Sequence, residues 1–238
     1  MTPLCALSIP CPAATLRAVA AAPQRWWSPD ATLHDGLLRA EGQVLHADPV
    51  AEGLHVWGEH LDAVLRCADG RVEVWAEVGP DDAQEHRLAW ASLLDGLAFA
   101  ATLDAPPSWA RITAEAALSY SDAWTKLIGP RGLRGVRGRQ PGQPLRLRLG
   151  REEEGLNAKM VRVEPPRAFT LDLDAFGGAR LRVGLWPGAT MTGLVLDLLS
   201  ARPADEGLIH AWREALESGF RPAWLDQVSP IEPERMGR

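Results

Sequence analysis

The chain has 238 residues, of which 46% are hydrophobic and 24% are charged, and its formal net charge is −6. This composition is that of a folded globular protein and excludes a chain that is disordered throughout. The acidic balance argues against a dedicated nucleic-acid-binding protein, which carries a basic excess or a basic face. A chain of this length forms one large domain or two of about 100–150 residues each.

The cysteines indicate a reducing compartment. They are odd in number and lack the paired spacing of a zinc site, so we expect free thiols and a cytoplasmic location. Their positions are Cys5, Cys11 and Cys67.

Neither a secretory signal nor a membrane-embedded segment is expected. Residues 18–20, Ala-Val-Ala, resemble a signal-peptide cleavage site, but no basic residue precedes Arg17, and two prolines interrupt the apolar region. The longest apolar stretch, residues 88–103, contains Asp95 and is shorter than the roughly 18–20 residues that span a bilayer.

The first half predicts a strand, a short helix, a series of strands and a long helix. The first strand covers residues 4–9, and the short helix begins near Pro12, because proline is well tolerated in a first turn. A long helix over residues 82–103 places apolar side chains, including Trp90, on one stripe. The strand-like segments between the helices cover residues 32–39, 43–46, 54–60, 63–67 and 71–78.

The second half follows the same plan after a linker at residues 104–108. A strand at 111–116 leads to a helix over 119–128, with Ser119 or Ser121 as its N-cap and Gly129-Pro130 as its stop. A connector rich in Gly, Arg and Pro precedes strands at 145–149, 159–164, 168–175, 179–186 and 189–199. An amphipathic helix over about 203–224 and a flexible tail at 226–238 end the chain.

Charge alternation predicts the register of two neighbouring strands. In the segments 170–174 and 179–185, apolar residues alternate with charged ones. Placing Leu173 opposite Leu181 sets each aspartate across from an arginine and leaves residues 176–178 as a three-residue loop. We therefore expect the charges to form a solvated outer face and not a catalytic carboxylate cluster. They are Asp172, Asp174, Arg180 and Arg182.

Both closing helices carry an Ala-Trp pair with a leucine four residues after the tryptophan, at Trp90 and at Trp212. Together with the matching order of elements, this pattern predicts a tandem duplication. We expect a shortened first unit at residues 1–105 and a complete second unit at 106–225.

Residues 160–169 read Met-Val-Arg-Val-Glu-Pro-Pro-Arg-Ala-Phe. This stretch resembles the Val-x-Val-acid-Pro-Pro-x-x-Leu strand–turn–strand feature of the homologues of the heat-shock-protein ATPase activator. That family belongs to the START-like (SRPBCC), birch-pollen-allergen superfamily. Phe169 stands in place of the leucine, and Ala211-Trp212 replaces the Gly-Trp pair near the start of the family's last helix. The resemblance covers roughly residues 110–224, with a fainter copy in 1–105.

The resemblance implies an α+β fold of tandem helix-grip units, each an antiparallel sheet curved around a long C-terminal helix. It also implies a cavity between sheet and helix that takes a small apolar or amphipathic molecule. The alternative, that the ten tryptophans simply fill the two cores, stays open. We expect this cavity to be lined by Trp124, Met160, Trp186, Met191 and Trp212.

No phosphate-binding glycine loop, His-Glu-x-x-His or Gly-x-Ser-x-Gly motif occurs, and we assign no catalytic residue and no cofactor. His55 and His60 have opposite parity on a strand, so we expect no metal site there. The basic stretch over residues 131–151 lacks interleaved aromatics for base stacking. We interpret it as a solvated loop and strand face, with an anionic partner or ligand head group as the alternative.

Three hypotheses about function remain open. The first is a non-catalytic protein that binds a small hydrophobic ligand. The second is an enzyme of the polyketide-cyclase or dehydratase kind, which requires a His, Asp or Glu inside the second cavity. The third is a protein-interaction or co-chaperone module, acting on a protein partner or as a homodimer.

Overall fold

The computed structural model describes residues 1–59, 61–80, 82–130, 132–149, 155–187, 191–217 and 221–222. The chain divides into two compact units, Met1–Pro107 and Ser108–Arg238. Each unit has, in chain order, a strand, a short helix, a run of antiparallel strands and a longer helix. The fold is therefore α+β and helix-grip-like, which confirms the predicted fold class. None of the helices in the described ranges combines the length and apolar character that a bilayer crossing requires.

The first unit is a seven-stranded antiparallel sheet with two α-helices and one short 3-10 helix, Pro23–Arg25. Its α-helices are α1 (Ala13–Ala20) and α2 (Ala83–Ala100). Its strands are β1 (Thr2–Ser8), β2 (Thr32–His34), β3 (Leu37–Ala40), β4 (Gln43–Val50), β5 (Gly53–Gly58), β6 (Leu61–Ala68) and β7 (Arg71–Glu77). The strand order across the sheet is β1-β7-β6-β5-β4-β3-β2.

One face of this sheet is buried against the helices. Leu54 and Val56 of β5 and Leu65 of β6 point to the same core as Trp90 of α2, in keeping with the two-residue period of a strand. The ring of Trp27 lies edge-on to that of Trp90, with 5.4 Å between the centroids. Trp27 and Trp90 therefore lie together in the first core.

The prediction of a single strand over residues 32–39 is wrong, because this segment is the hairpin β2–β3. Asp35 and Gly36 form its turn with φ angles of 51° and 72°, and His34 pairs with Leu37. Two successive residues with positive φ make the tight turn that an Asp-Gly dipeptide favours. The Asp-Gly pair was therefore the signal for this hairpin.

The second unit is an eight-stranded antiparallel sheet with two helices. Its helices are α3 (Tyr120–Leu127) and α4 (Glu206–Glu217). Its strands are β8 (Ser108–Ala116), β9 (Leu133–Arg134), β10 (Pro144–Leu149), β11 (Leu156–Glu164), β12 (Ala168–Leu173), β13 (Ala179–Pro187), β14 (Thr192–Ser200) and β15 (Arg221–Pro222). The order is β15-β8-β14-β13-β12-β11-β10-β9.

The prediction of a helix up to residue 224 is wrong at residues 221–222. This short segment is strand β15, in which Arg221 pairs with Glu115 and Pro222 with Ala114. Proline lacks a backbone N–H and disfavours the helical conformation in the residue before it, so the helix does not continue here. Residues 218–220, residues 223–224 and the predicted tail lie outside the described residues.

The predicted register between β12 and β13 is wrong by two residues. Leu171, and not Leu173, lies opposite Leu181, so that Asp172 pairs with Arg180. A shift of two residues leaves every side chain on its predicted face, so the alternation alone did not distinguish the two registers. The connecting loop is consequently longer than predicted. Three of its residues have positive φ: Phe176, Gly177 and Gly178.

The expectation that all these charges are solvated is wrong for Arg182, whose exposed fraction is 2%. Arg182 donates to Asp197 of β14 with 2.8 Å between Nη2 and Oδ2. Arg111 of β8 binds the same carboxylate at 2.6 and 2.9 Å. Because Leu196 and Leu198 point to the core of this unit, Asp197 and its two arginines lie on the opposite face of the sheet.

The pKa of Asp197 reflects two opposing effects. Burial opposes ionisation of the carboxyl, but the positive charges of Arg111 and Arg182 and their hydrogen bonds outweigh it, so the pKa lies below its usual value. A pKa lowered in the folded state contributes stability above the unfolded pKa. That contribution is lost as the pH falls through the folded pKa.

We expect Asp197→Asn to lower the free energy of unfolding by about 3–5 kcal/mol at pH 7, because it leaves two guanidinium groups without their counter-charge. The difference from the wild type should begin to shrink below about pH 4, the ordinary pKa of an unfolded aspartate, and should vanish as the pH falls through the lower folded pKa of Asp197. Urea unfolding at several pH values measures both effects. The control is Asp172→Asn, whose partly exposed pair with Arg180 should contribute at most about 1 kcal/mol. Equal effects of the two substitutions would contradict the expectation.

Candidate functional site

A cleft of about 440 Å³ opens in the second unit. Three segments form its walls: the C-terminal end of α3, the loop between β9 and β10, and the end of β11 with the turn that follows. The lining residues are Trp124, Thr125, Ile128, Gly129, Pro130, Val136, Arg137, Gly138, Arg139, Gln140, Val163 and Pro165. Most of this wall is apolar, and its polar groups lie in the β9–β10 loop and at Thr125.

Helix α3 places Trp124 in the wall of the cleft. The helix begins at the predicted N-cap, where Ser119 Oγ accepts a hydrogen bond from the backbone N–H of Asp122 at 3.2 Å. One turn later, Trp124 packs edge-on against Phe169 of β12, with 5.8 Å between the ring centroids. Because this contact and the core around it fix the ring, the cleft has a rigid aromatic wall.

The β9–β10 loop owes its shape to a buried anchor and to glycine. Val136 is 1% exposed and packs in the core of the unit. Gly135 has φ of +100°, and a Cβ atom there would clash with the carbonyl oxygen of Arg146. This conformation and close approach suit only glycine. Arg137 and Arg139, on either side of Gly138, are both exposed.

We expect Gly135→Ala to lower the free energy of unfolding by about 2–4 kcal/mol, since it adds a steric clash to a strained backbone. Chemical denaturation measures the effect. Gly142→Ala is the matched control, because Gly142 also has positive φ, at +85°, but its Cβ would meet nothing within 4 Å. The control should therefore cost only about 1–2 kcal/mol. A control that is as destabilised as Gly135→Ala would contradict the role of the close approach.

The structure brings three of the five predicted ligand residues into one core. Trp124 lines the cleft, whereas Met160 and Trp212, each 1% exposed, lie in the same core without lining the cleft. Met160 ties β11 to the connector through its backbone. Its N–H donates to the carbonyl oxygen of Gln143 at 2.9 Å, and its carbonyl accepts from the N–H of Gly142 at 2.8 Å.

The other two predicted residues lie elsewhere in the second unit. Trp186 is 41% exposed, and it follows Leu185, which points to the core, so its ring lies on the opposite face of β13 beside Gly193. Met191 is half-buried just before β14 and is not part of the core cluster. The structure therefore does not join Trp186 and Met191 to the cleft.

Sequence reasoning missed most of the apolar lining. Ile128, Val136 and Val163 are ordinary aliphatic residues, and only the fold brings them together. One signal was available, because Val163 and Pro165 belong to the stretch at residues 160–169 that carries the family resemblance. Arg137 and Arg139 were noted as members of the basic stretch, but their position at a cleft was not predicted.

Comparison with known proteins gives structural likenesses only. No family model and no curated protein matches the sequence. Solved structures similar to this chain include CalU16 from Micromonospora echinospora, at 16% identity and a TM-score of 0.38, covering 47% of this chain and 73% of that one. The Aha1 dimer from Colwellia psychrerythraea is 13% identical with a TM-score of 0.37, covering 47% of this chain and 92% of that one. Protein CV1439 from Chromobacterium violaceum is 12% identical with a TM-score of 0.38, covering 47% and 94%.

Proposed function

We propose that the second unit binds a small apolar or amphipathic molecule in the cleft beside Trp124 and that it does so without catalysing a reaction. The observation that carries this proposal is the cleft itself. Its volume of about 440 Å³ lies within the range of about 300–1,000 Å³ of small-molecule sites. Its wall combines one fixed aromatic ring with aliphatic and proline side chains, which is typical of such sites.

The chemistry of the lining supports binding over catalysis. General acid–base catalysis uses His, Asp, Glu, Lys, Tyr or Cys side chains placed against the substrate. None of these residue types is among the lining residues in the part of the chain that the structure describes. The ionisable side chains there are Arg137 and Arg139, and an arginine stays protonated and does not transfer protons at neutral pH.

Filling the cleft should abolish binding of a neutral apolar probe. Val163, a half-buried lining residue, can be replaced by Val163→Trp, which adds a large side chain inside the cleft. We expect wild-type protein to bind N-phenyl-1-naphthylamine with increased probe fluorescence and Val163→Trp to bind it about tenfold more weakly or not at all, because the apolar contact area is lost. A fluorescence titration measures both affinities.

The matched control is Val44→Trp. Val44 lies in the first unit and is 54% exposed, so the same substitution adds the same side chain at the surface. Its affinity for the probe should equal that of the wild type. The proposal is wrong if wild-type protein does not bind the probe, or if Val163→Trp, with an unchanged circular dichroism spectrum, binds it as well as Val44→Trp does.

A further inference from the structure

The polar part of the cleft has a single sign of charge. Arg137 and Arg139 contribute two positive charges to its lining, and neither Asp nor Glu is among the lining residues that the structure describes. This arrangement runs against the composition of the whole chain, whose net charge is −6. The excess of positive charge is therefore a local property of the β9–β10 loop.

The loop holds the two arginines at the rim. Val136 is buried beneath them, and the backbone N–H of Arg139 donates to the Val136 carbonyl at 3.1 Å. The Nε–H of Arg139 also reaches the Gly135 carbonyl at 3.4 Å. The buried Val136 thus anchors the loop, and its neighbours Arg137 and Arg139 stay exposed. The charged groups therefore lie at the opening of the cleft, and the apolar residues form its interior.

One group at the cleft acts in the opposite direction. The C-terminal end of α3 also lines it, and the free carbonyls of a helix C-terminus amount to about half a negative charge. Two full positive charges outweigh that partial charge. Because the apolar wall has a low dielectric constant, it strengthens their field inside the cleft. Among the lining residues that the structure describes, positive charge therefore predominates.

We infer that the ligand of this cleft is an apolar molecule that ends in a carboxylate. Its apolar part lies against Trp124, Ile128 and Val163, and its carboxylate is bound by Arg137 and Arg139. The planar guanidinium group of arginine matches a carboxylate with two parallel hydrogen bonds, which a neutral or cationic head group does not offer. This inference rests on the proposed function and adds the chemical class of the ligand.

Three ligands of equal chain length test the head group: decanoate, decan-1-ol and decylamine, titrated by calorimetry into the full chain. We expect decanoate to bind about tenfold more tightly than decan-1-ol, since two exposed charge-assisted hydrogen bonds contribute modestly in water. Decylamine should bind more weakly than decan-1-ol. The advantage of decanoate should shrink at 0.5 M salt, because these charges are exposed to solvent.

The double substitution Arg137→Gln/Arg139→Gln should bring the affinity for decanoate down to that for decan-1-ol, while the affinity for decan-1-ol stays unchanged. The matched control is Arg146→Gln/Arg148→Gln, which removes two exposed arginines of β10 that do not line the cleft. This control should keep the preference for decanoate.

The outcomes separate the inference from the proposed function. If decan-1-ol and decanoate bind wild-type protein equally well, or decylamine binds best, the inference is overturned and the proposed function stands. If none of the three ligands binds although N-phenyl-1-naphthylamine does, only the inference is overturned, and if that probe also fails to bind, both are overturned. If the control loses the preference as fully as the cleft variant does, the carboxylate responds to overall charge and the assignment to Arg137 and Arg139 is wrong.

Discussion

Each sheet in this protein must bury one face of its strands, and the closing helix of the same unit supplies the cover. Backbone hydrogen bonds satisfy the polar groups of the sheet, but alternate side chains on one face remain apolar and need a partner surface. In the second unit Trp212 of α4 meets Leu181 and Phe169 in one core. In the first unit Trp90 of α2 does the same for its strands. This requirement explains why apolar residues recur at every second position of the strands and why they form one stripe along each closing helix.

The cleft lies at the margin of that packing. A cleft of about 440 Å³ lies between the end of α3, the β9–β10 loop and the turn after β11. The β9–β10 loop closes one side of it, and glycine at position 135 allows the loop to pass close to β10. The space for a ligand therefore depends on incomplete packing beside the core. The charge at the opening of the cleft depends on which loop residues remain exposed when Val136 is buried.

The opposite face of the second sheet carries a different constraint. Asp197 lies in an apolar strand and holds Arg111 and Arg182 from the two neighbouring strands. A shift of the register by two residues would place Arg182 opposite an apolar residue of β14, and the carboxylate would lose one counter-charge in a buried position. Such an ionic group penalises alternative registers even where its net contribution to stability is small. We expect it to favour the observed pairing of β13 with β14 over registers that hydrophobic alternation alone allows.

The sequence by itself determined the order of the main elements, the two faces of the segments 170–174 and 179–185, and the positions of the closing tryptophans. These features are local, since the periodicity of a segment depends only on neighbouring residues. The β12–β13 register, the burial of Arg182 and the strand at Arg221–Pro222 were decided by tertiary structure, because each depends on residues far apart in the chain. The cleft was also decided by tertiary structure. Trp124 was identifiable from its type and its helix, but Ile128, Val136 and Val163 become a site only when three distant segments meet.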